Sequence, residues 1–401
     1  MSAASDRVVS TPMAEDPIAR ARALAPLIQA AGPRIEAERE LPADLLASLH
    51  AARLFRTLLP RAIGGEETTP ETYARMMEII ARADASTAWC IGQASGCSMA
   101  AAYVAPEVAH GIWDARDAAL AWGAVGPGQV AEVVDGGYRV TGSWPFASGG
   151  RHATWFGGHC RVRERDGSLR TMPDGSPYER TMLFPHSAIT MAPNWQVMGL
   201  RGTGSDTYSV ADLFVPEAFT VRRDRDEERH PQGSGALYRF TTTHLYASGF
   251  AAVALGIARG MLDDFVTLAA GKTPLATART LRDSPVLQSG LAWAEGKWRA
   301  ARAGLHAALR ETHEHVATGA AMTTEQKVAI RLASTFAIHQ AKEVADFAWT
   351  EAGATAIFES QPFERRFRDI HAVTQQVQAR RNHFETVGQH LMGLTPHPRF
   401  L

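Results

Sequence analysis

Apolar residues recur three and four positions apart from about Ile18 to Trp113, the period of helices buried along one face. Leu41, Leu45 and Leu49 form one such stripe. Pro60 and the pair Gly64-Gly65 interrupt the pattern with a loop, and helices are expected again over 72–83 and 86–102. Between about Leu120 and Thr220 the period shortens to two. Tyr138-Arg139-Val140-Thr141 alternates apolar and polar behind the turn Asp135-Gly136-Gly137. Further strands are expected over 154–162, 181–184, 188–197 and 207–215, and Gly and Pro in the gaps suit a small antiparallel sheet or barrel. From about Thr241 the helical period returns. Residues 255–269, 286–318, 323–351 and 363–391 predict four long helices, as in an antiparallel bundle. The reading is an α+β chain: a helical domain (1–117), a β domain (118–225) and a helical bundle (226–401).

Composition narrows the class. The chain has 401 residues, 45% hydrophobic and 21% charged, with 41 Lys+Arg against 42 Asp+Glu and a net charge of −1. Such a balance gives no pull toward nucleic acid or an anionic membrane. Three cysteines, Cys90, Cys97 and Cys160, are odd in number and lack CxxC spacing, so a reducing cytoplasm is expected rather than a disulfide framework or a zinc site. The first residues, with Asp6, Arg7, Glu15, Asp16 and Arg20, hold no apolar export core. Phe250–Met261 is the most apolar stretch. It is short and contains Arg259, which reads as a buried helix rather than a membrane span.

Several motifs invite chemistry. Gly126-Pro127-Gly128-Gln129-Val130-Ala131 fits the dinucleotide fingerprint as a string, but β-branched residues and a hairpin follow where a helix is required, so no nicotinamide site is expected. His306, His313 and His315 with Glu311 and Glu314 lack metal-ligand spacing, and a solvated helix face is expected there with no metal. Trp144-Pro145-Phe146-Ala147-Ser148-Gly149 sets two large rings, a small residue and a hydroxyl in a strand-to-turn element. It reads as hairpin core, or as a wall for a flat heteroaromatic cofactor with Ser148 beside a ring nitrogen. The loop Asn194–Ser205, with Trp195, Arg201, Thr203 and Ser205, is a bulge or a second wall. Arg365-Arg366-Phe367-Arg368-Asp369-Ile370-His371 opens the last helix, where charges are ordinarily solvated.

Taken in order, four segments resemble the acyl-CoA dehydrogenase superfamily. They are Arg82-Ala-Asp-Ala-Ser86, Gly142–Gly149, Met198–Ser205 with Val210–Pro216, and Phe363–Asp369. The resemblance implies an N-terminal helical domain, a central β-barrel and a C-terminal four-helix bundle, with flavin between the last two. It departs from the dehydrogenases after Asp369. Where many of them carry a carboxylate base, this chain has His371-Ala-Val-Thr-Gln-Gln376 and no Glu or Asp before Glu385.

A histidine just past Arg-Asp, together with Phe-Ala-Ser-Gly, resembles the branch of two-component reduced-flavin-dependent monooxygenases. That resemblance implies reduced FMN or FAD, no metal, O2, a small-molecule substrate, a separate NAD(P)H:flavin reductase and a homotetramer. It implies a C4a-hydroperoxyflavin route to oxygenation of an aromatic, indole-like or sulfur-containing compound. Carried over residue by residue, Ser148 lies at flavin N5 and His371 faces C4a. Trp122, Phe146, Ala147, Trp195, Thr374 and Gln375 meet the flavin, and Arg282 serves its phosphate from a neighbouring subunit. By rough spacing Cys97 and Gly123, with His371, border the substrate. The alternatives are an acyl-CoA dehydrogenase with FAD and a relocated base, and a scaffold of the same fold without catalysis.

Overall fold

The computed structural model describes residues 16–396 except Val125 and Pro127; the polar first residues and the middle of the Gly126–Ala131 string lie outside the described residues. Helices α1 (Pro17–Glu38), α2 (Ala43–Ala51), α3 (Pro70–Ala83), α4 (Ala85–Ser98) and α5 (Pro106–Trp113) come first. Their starts are written in the sequence. Thr69 caps α3 ahead of Pro70, and Asp84 accepts from the N–H and hydroxyl of Thr87 at 2.7 and 2.9 Å to begin α4.

All eight strands among the described residues fall between Leu120 and Val221: β1 (Leu120–Trp122), β2 (Val130–Val134), β3 (Gly137–Trp144), β4 (Trp155–Arg163), β5 (Glu179–Pro185), β6 (Thr190–Ala192), β7 (Thr207–Pro216) and β8 (Thr220–Val221). They pair in the order β6-β7-β3-β2-β4-β5-β8. The expected central β domain is thus a single sheet, with no ladder joining β6 to β8 among the described residues. β1 and β2 run parallel along one edge of β4, at Trp155–Gly157 and Arg161–Arg163. Gly128 leads into strand β2 and not into a helix, which removes the context a dinucleotide fingerprint needs.

Two apolar clusters result. Trp144, Phe156, Phe184 and Tyr208 fill the sheet, where Trp144 Nε1 donates to the His159 carbonyl at 3.0 Å. The other cluster is continuous through the first helices and through α6 (Thr242–Gly271), α7 (Pro285–Ala317) and α8 (Thr324–Ala352). α6 is apolar and long enough to cross a membrane, but 89% of its most apolar window is buried inside the molecule, as befits a core helix.

Several expectations need correction. The strand expected over 188–197 is only Thr190–Ala192, because the loop behind it turns away: the Trp195 N–H donates to Asp206 Oδ1 and Asn194 Oδ1 accepts from the Thr207 N–H. The helix expected from Leu255 begins at Thr242, where Thr241 and His244 form a reciprocal cap. The last long helix is broken into α9 (Pro362–Val373) and α10 (His383–Leu391). Gln378 between them is buried against Arg331 of α8 at 2.6 Å, a tertiary bond no periodicity announces.

Candidate active site

Ser148 sits just beyond β3, in a turn that begins with Phe146 at φ +66°. A left-handed aromatic residue is strained, by about 1–3 kcal/mol, and such strain gathers at functional sites. Phe146 is 60% exposed, and its ring stands edge-on to Trp195 at 6.1 Å. Ala147, by contrast, is wholly buried in the sheet core.

The Ser148 hydroxyl belongs to a chain whose direction is fixed. Trp89 Nε1, a donor only, gives its proton to Ser148 Oγ at 3.0 Å. At the other end Thr203 Oγ1 donates to the Leu200 carbonyl at 2.8 Å. Between them lie Ser148–Ser205 at 2.7 Å and Ser205–Thr203 at 2.6 Å. With Thr203's proton on a carbonyl, Ser205 must donate to Thr203, and Ser148 must donate to Ser205. Ser148 Oγ is left with one lone pair, and what it can receive is an N–H or O–H.

The chain ends at the last helices. The Leu200 carbonyl also receives Trp195 Nε1 at 3.1 Å, and the Leu200 N–H donates to Asp369 Oδ1 at 2.6 Å. Gly199 permits this approach, since a Cβ there would stand 2.2 Å from the Arg368 carbonyl. Burial raises the Asp369 carboxyl to about 7; the Leu200 N–H opposes the shift and Asp84 adds to it.

The charges that open α9 are fixed rather than solvated. Arg366 pairs with Asp264 and donates to the Arg82 carbonyl, while Arg368 meets Glu36 at 2.7 Å, Glu364 at 2.8 Å and the Met198 carbonyl at 2.5 Å. They clamp α9 to α1, α6 and the Met198–Thr203 loop.

His371 lies one turn further along α9. Its Nδ1 proton goes to the Phe367 carbonyl at 2.7 Å, and Asp346 Oδ1 faces Nε2 at 3.5 Å. The ring rests on Phe367, which stacks on Trp349. Among the described residues no hydrogen bond joins His371 to Ser148 directly. Thr374 spends its hydroxyl proton on the His371 carbonyl at 2.7 Å, Gln375 is exposed beside it, and Arg282 is exposed in the turn before α7.

The other site candidates gather elsewhere. Trp122 stands not with Phe146 and Trp195 but between His159 (rings 5.1 Å apart) and Arg223, whose guanidinium is 4.5 Å from the indole. Cys97 is buried, its thiol pushed up to about 12 by that burial, with Sγ 3.4 Å from Tyr246 Oη. Gly123 does not border open space. A Cβ there would stand 2.4 Å from the Pro145 carbonyl and 2.8 Å from Trp144, and its N–H donates to Tyr208 Oη at 3.2 Å. His306 is likewise no solvated group: it is buried, 2.7 Å from Glu78, which also takes Arg302 at 2.7 Å. No cluster of three metal-ligating side chains occurs among the described residues.

Sequence reasoning passed over Trp89, Phe250 and Tyr246. They stack in a row, Trp89 on Phe250 at 4.0 Å and Phe250 on Tyr246 at 5.5 Å. A lone indole in the small-residue helix Ala85–Ser98 was the available signal.

Two family models match the chain: "Acyl-CoA dehydrogenase, N-terminal domain" over residues 21–108 and "Acyl-CoA dehydrogenase, C-terminal domain" over 248–381, together more than half of its length. The chain belongs to the acyl-CoA dehydrogenase family. Among characterised relatives, an indole-3-acetate monooxygenase of Pseudomonas putida is 29% identical over 364 residues, 91% of this chain and 90% of that one. The oxygenase component of an FADH2-dependent resorcinol hydroxylase of Rhizobium is 26% identical over 399 residues, 94% of each. The crystal structure of 3-HSA hydroxylase from Rhodococcus superposes with a TM-score of 0.88 at 24% identity, covering 97% of this chain and 99% of that one, which establishes the fold.

Proposed function

We propose that the chain is the oxygenase component of a two-component flavin-dependent monooxygenase. It takes reduced FMN or FAD from a separate NAD(P)H:flavin reductase and places one atom of O2 in a small aromatic, indole-like or sulfur-containing compound. The second oxygen atom leaves as water. The observation that carries this reading is the fixed direction of the hydroxyl chain. N5 of a reduced flavin bears a proton and N5 of an oxidised one does not, so the lone pair left on Ser148 suits the reduced form.

The strained, exposed Phe146 and the perpendicular Trp195 offer a face for a flat ring beside that hydroxyl. Reduced flavin, when bound, supplies two electrons and carries the oxygen. The protein's part is to hold, orient and keep dry. Ser148 accepts the N5 proton's hydrogen bond and so retards its loss. His371, with Nδ1 held by Phe367, takes or gives a proton at Nε2. Thr374, Gln375 and, from a neighbouring subunit of a homotetramer, Arg282 complete the flavin site. The exposed Trp293 of α7 and Phe336 of α8 supply apolar surface for that assembly. Three buried, unpaired cysteines suit the reducing cytoplasm as its location.

A relocated dehydrogenase base has less to recommend it. Asp346, beside His371, is held by Lys342 at 2.5 Å and does not stand free. The test is NADH oxidation. The chain with NADH and FMN alone should consume no O2, and adding a generic flavin reductase should give O2 uptake with an oxygenated product. Steady NADH oxidation by the chain alone would overturn the reading.

A further inference from the structure

Beyond the aromatic row lies a cavity of about 240 Å³ bordered by His159 of β4, Arg180 and Thr181 of β5, and Arg222, Arg223 and Arg225 after β8. Four guanidinium groups border it, and they are not equivalent. Glu228 holds Arg180 at 3.2 Å and Arg222 at 3.4 Å, and Arg225 is exposed to solvent. Arg223 lies over the Trp122 ring, and among the described residues no carboxylate oxygen comes within 4.0 Å of it. The carboxylates bordering the cavity are engaged or outside. Asp224 turns Oδ1 to the N–H and hydroxyl of Thr242 at 2.8 and 3.1 Å, and Glu179 is exposed.

His159 adds no charge there. Burial, and then the Arg223 cation, hold its imidazole well below the ordinary range, and Nδ1 is 2.8 Å from the Thr181 hydroxyl. A half-buried guanidinium laid on an indole keeps its edge N–H groups free for a planar anion.

A line of contacts connects this cation to the candidate active site. The Trp122 carbonyl accepts from Gln93 Nε2 at 3.4 Å, and Gln93 reaches Cys97 Sγ at 3.7 Å. Cys97 meets Tyr246, and the row Tyr246, Phe250, Trp89 ends on Ser148. We propose that Arg223 anchors a carboxylate carried by the substrate, so that the substrates are small aromatic acids rather than neutral rings. This rests on the flavin-dependent reading above.

The test compares acids with their primary amides, which keep the shape and lose the charge. Indole-3-acetate, phenylacetate and the two amides are titrated into the full-length protein, saturated anaerobically with reduced FMN, for wild type, Arg223→Gln and Arg223→Lys. One acid at least should bind wild type roughly ten- to a hundredfold more tightly than its amide, the range expected of a hydrogen-bonded charge. Arg223→Gln should bring that ratio to about one, and Arg223→Lys should keep part of it. A wild type without preference for either acid, or an Arg223→Gln variant that retains the preference, overturns the anion site. Failure of reduced FMN to bind counts instead against the flavin reading, and the same titrations on flavin-free protein then judge Arg223 by the same ratios.

Discussion

The backbone N–H of Leu200 donates to Oδ1 of Asp369 at 2.6 Å, and through this bond the hydroxyl chain behind Ser148 ends on the helix that carries His371. The β-domain loop and the bundle thus set one another's position. Ser148 and His371 are held in register without touching.

Ser205 should govern which flavin is preferred. In Ser205→Ala the Ser148 proton has no acceptor in the chain and turns toward N5, where it suits oxidised flavin. Wild type should bind reduced FMN more tightly than oxidised FMN, and the variant should narrow that gap by roughly tenfold, the worth of about one hydrogen bond. Anaerobic and aerobic titrations measure both constants; an unchanged ratio would show that the chain does not direct Ser148.

Trp89→Phe keeps a ring against Phe250 and removes the indole N–H from Ser148. It should cost about 0.5–1.5 kcal/mol of stability. A larger share of the O2 consumed should appear as H2O2 instead of product. Urea unfolding and a peroxide assay read the two effects separately.

His371→Ala should fail differently. Reduced FMN should still bind, while product formation slows by about 10²–10⁴-fold if Nε2 moves a proton in the rate-limiting step. Rapid mixing of the preformed complex with O2 at several pH values tests it, and wild-type rates at every pH would return the residue to a packing role.

Asp369 predicts a pH effect with a definite sign. Its carboxyl is raised to about 7 from the ordinary aspartate value of 3.8, so between those values the folded chain binds more protons than the unfolded one. Stability from this group is complete below the lower value and is lost as pH rises toward about 7. Asp369→Asn keeps an acceptor for Leu200 and removes the titration. The variant should therefore gain on wild type in urea midpoint between pH 5 and pH 8. A constant difference across that range would contradict the assignment.

Much of this was legible in the sequence, for identifiable reasons. The apolar period alone places the helices expected over 72–83 and 286–318 to within two residues of their starts at Pro70 and Pro285, where Thr69 and Ser284 supply the caps. Ser148 and His371 stand out only through the resemblance of Phe-Ala-Ser-Gly and of the histidine past Arg-Asp to the flavin-dependent monooxygenases; taken alone, their segments read as hairpin core and as a solvated helix start. The break between α9 and α10 was not legible, because no Gly or Pro marks it and its cause is Arg331 on another helix. Spacing could not show that Trp144 and Pro145 close over the Cβ side of Gly123. Trp89 and Arg223 matter through contacts 59 and 101 residues distant, with Ser148 and Trp122.

A single turnover under ¹⁸O2 decides whether the chain transfers oxygen to an organic substrate. The protein is loaded anaerobically with reduced FMN and an aromatic acid, mixed with labelled oxygen, and the organic product examined by mass spectrometry. One ¹⁸O atom per product molecule is expected, with strong loss of that product in His371→Ala. Quantitative conversion of the oxygen to H2O2 with every aromatic compound offered, together with a resident FAD that acyl-CoA reduces, would contradict it.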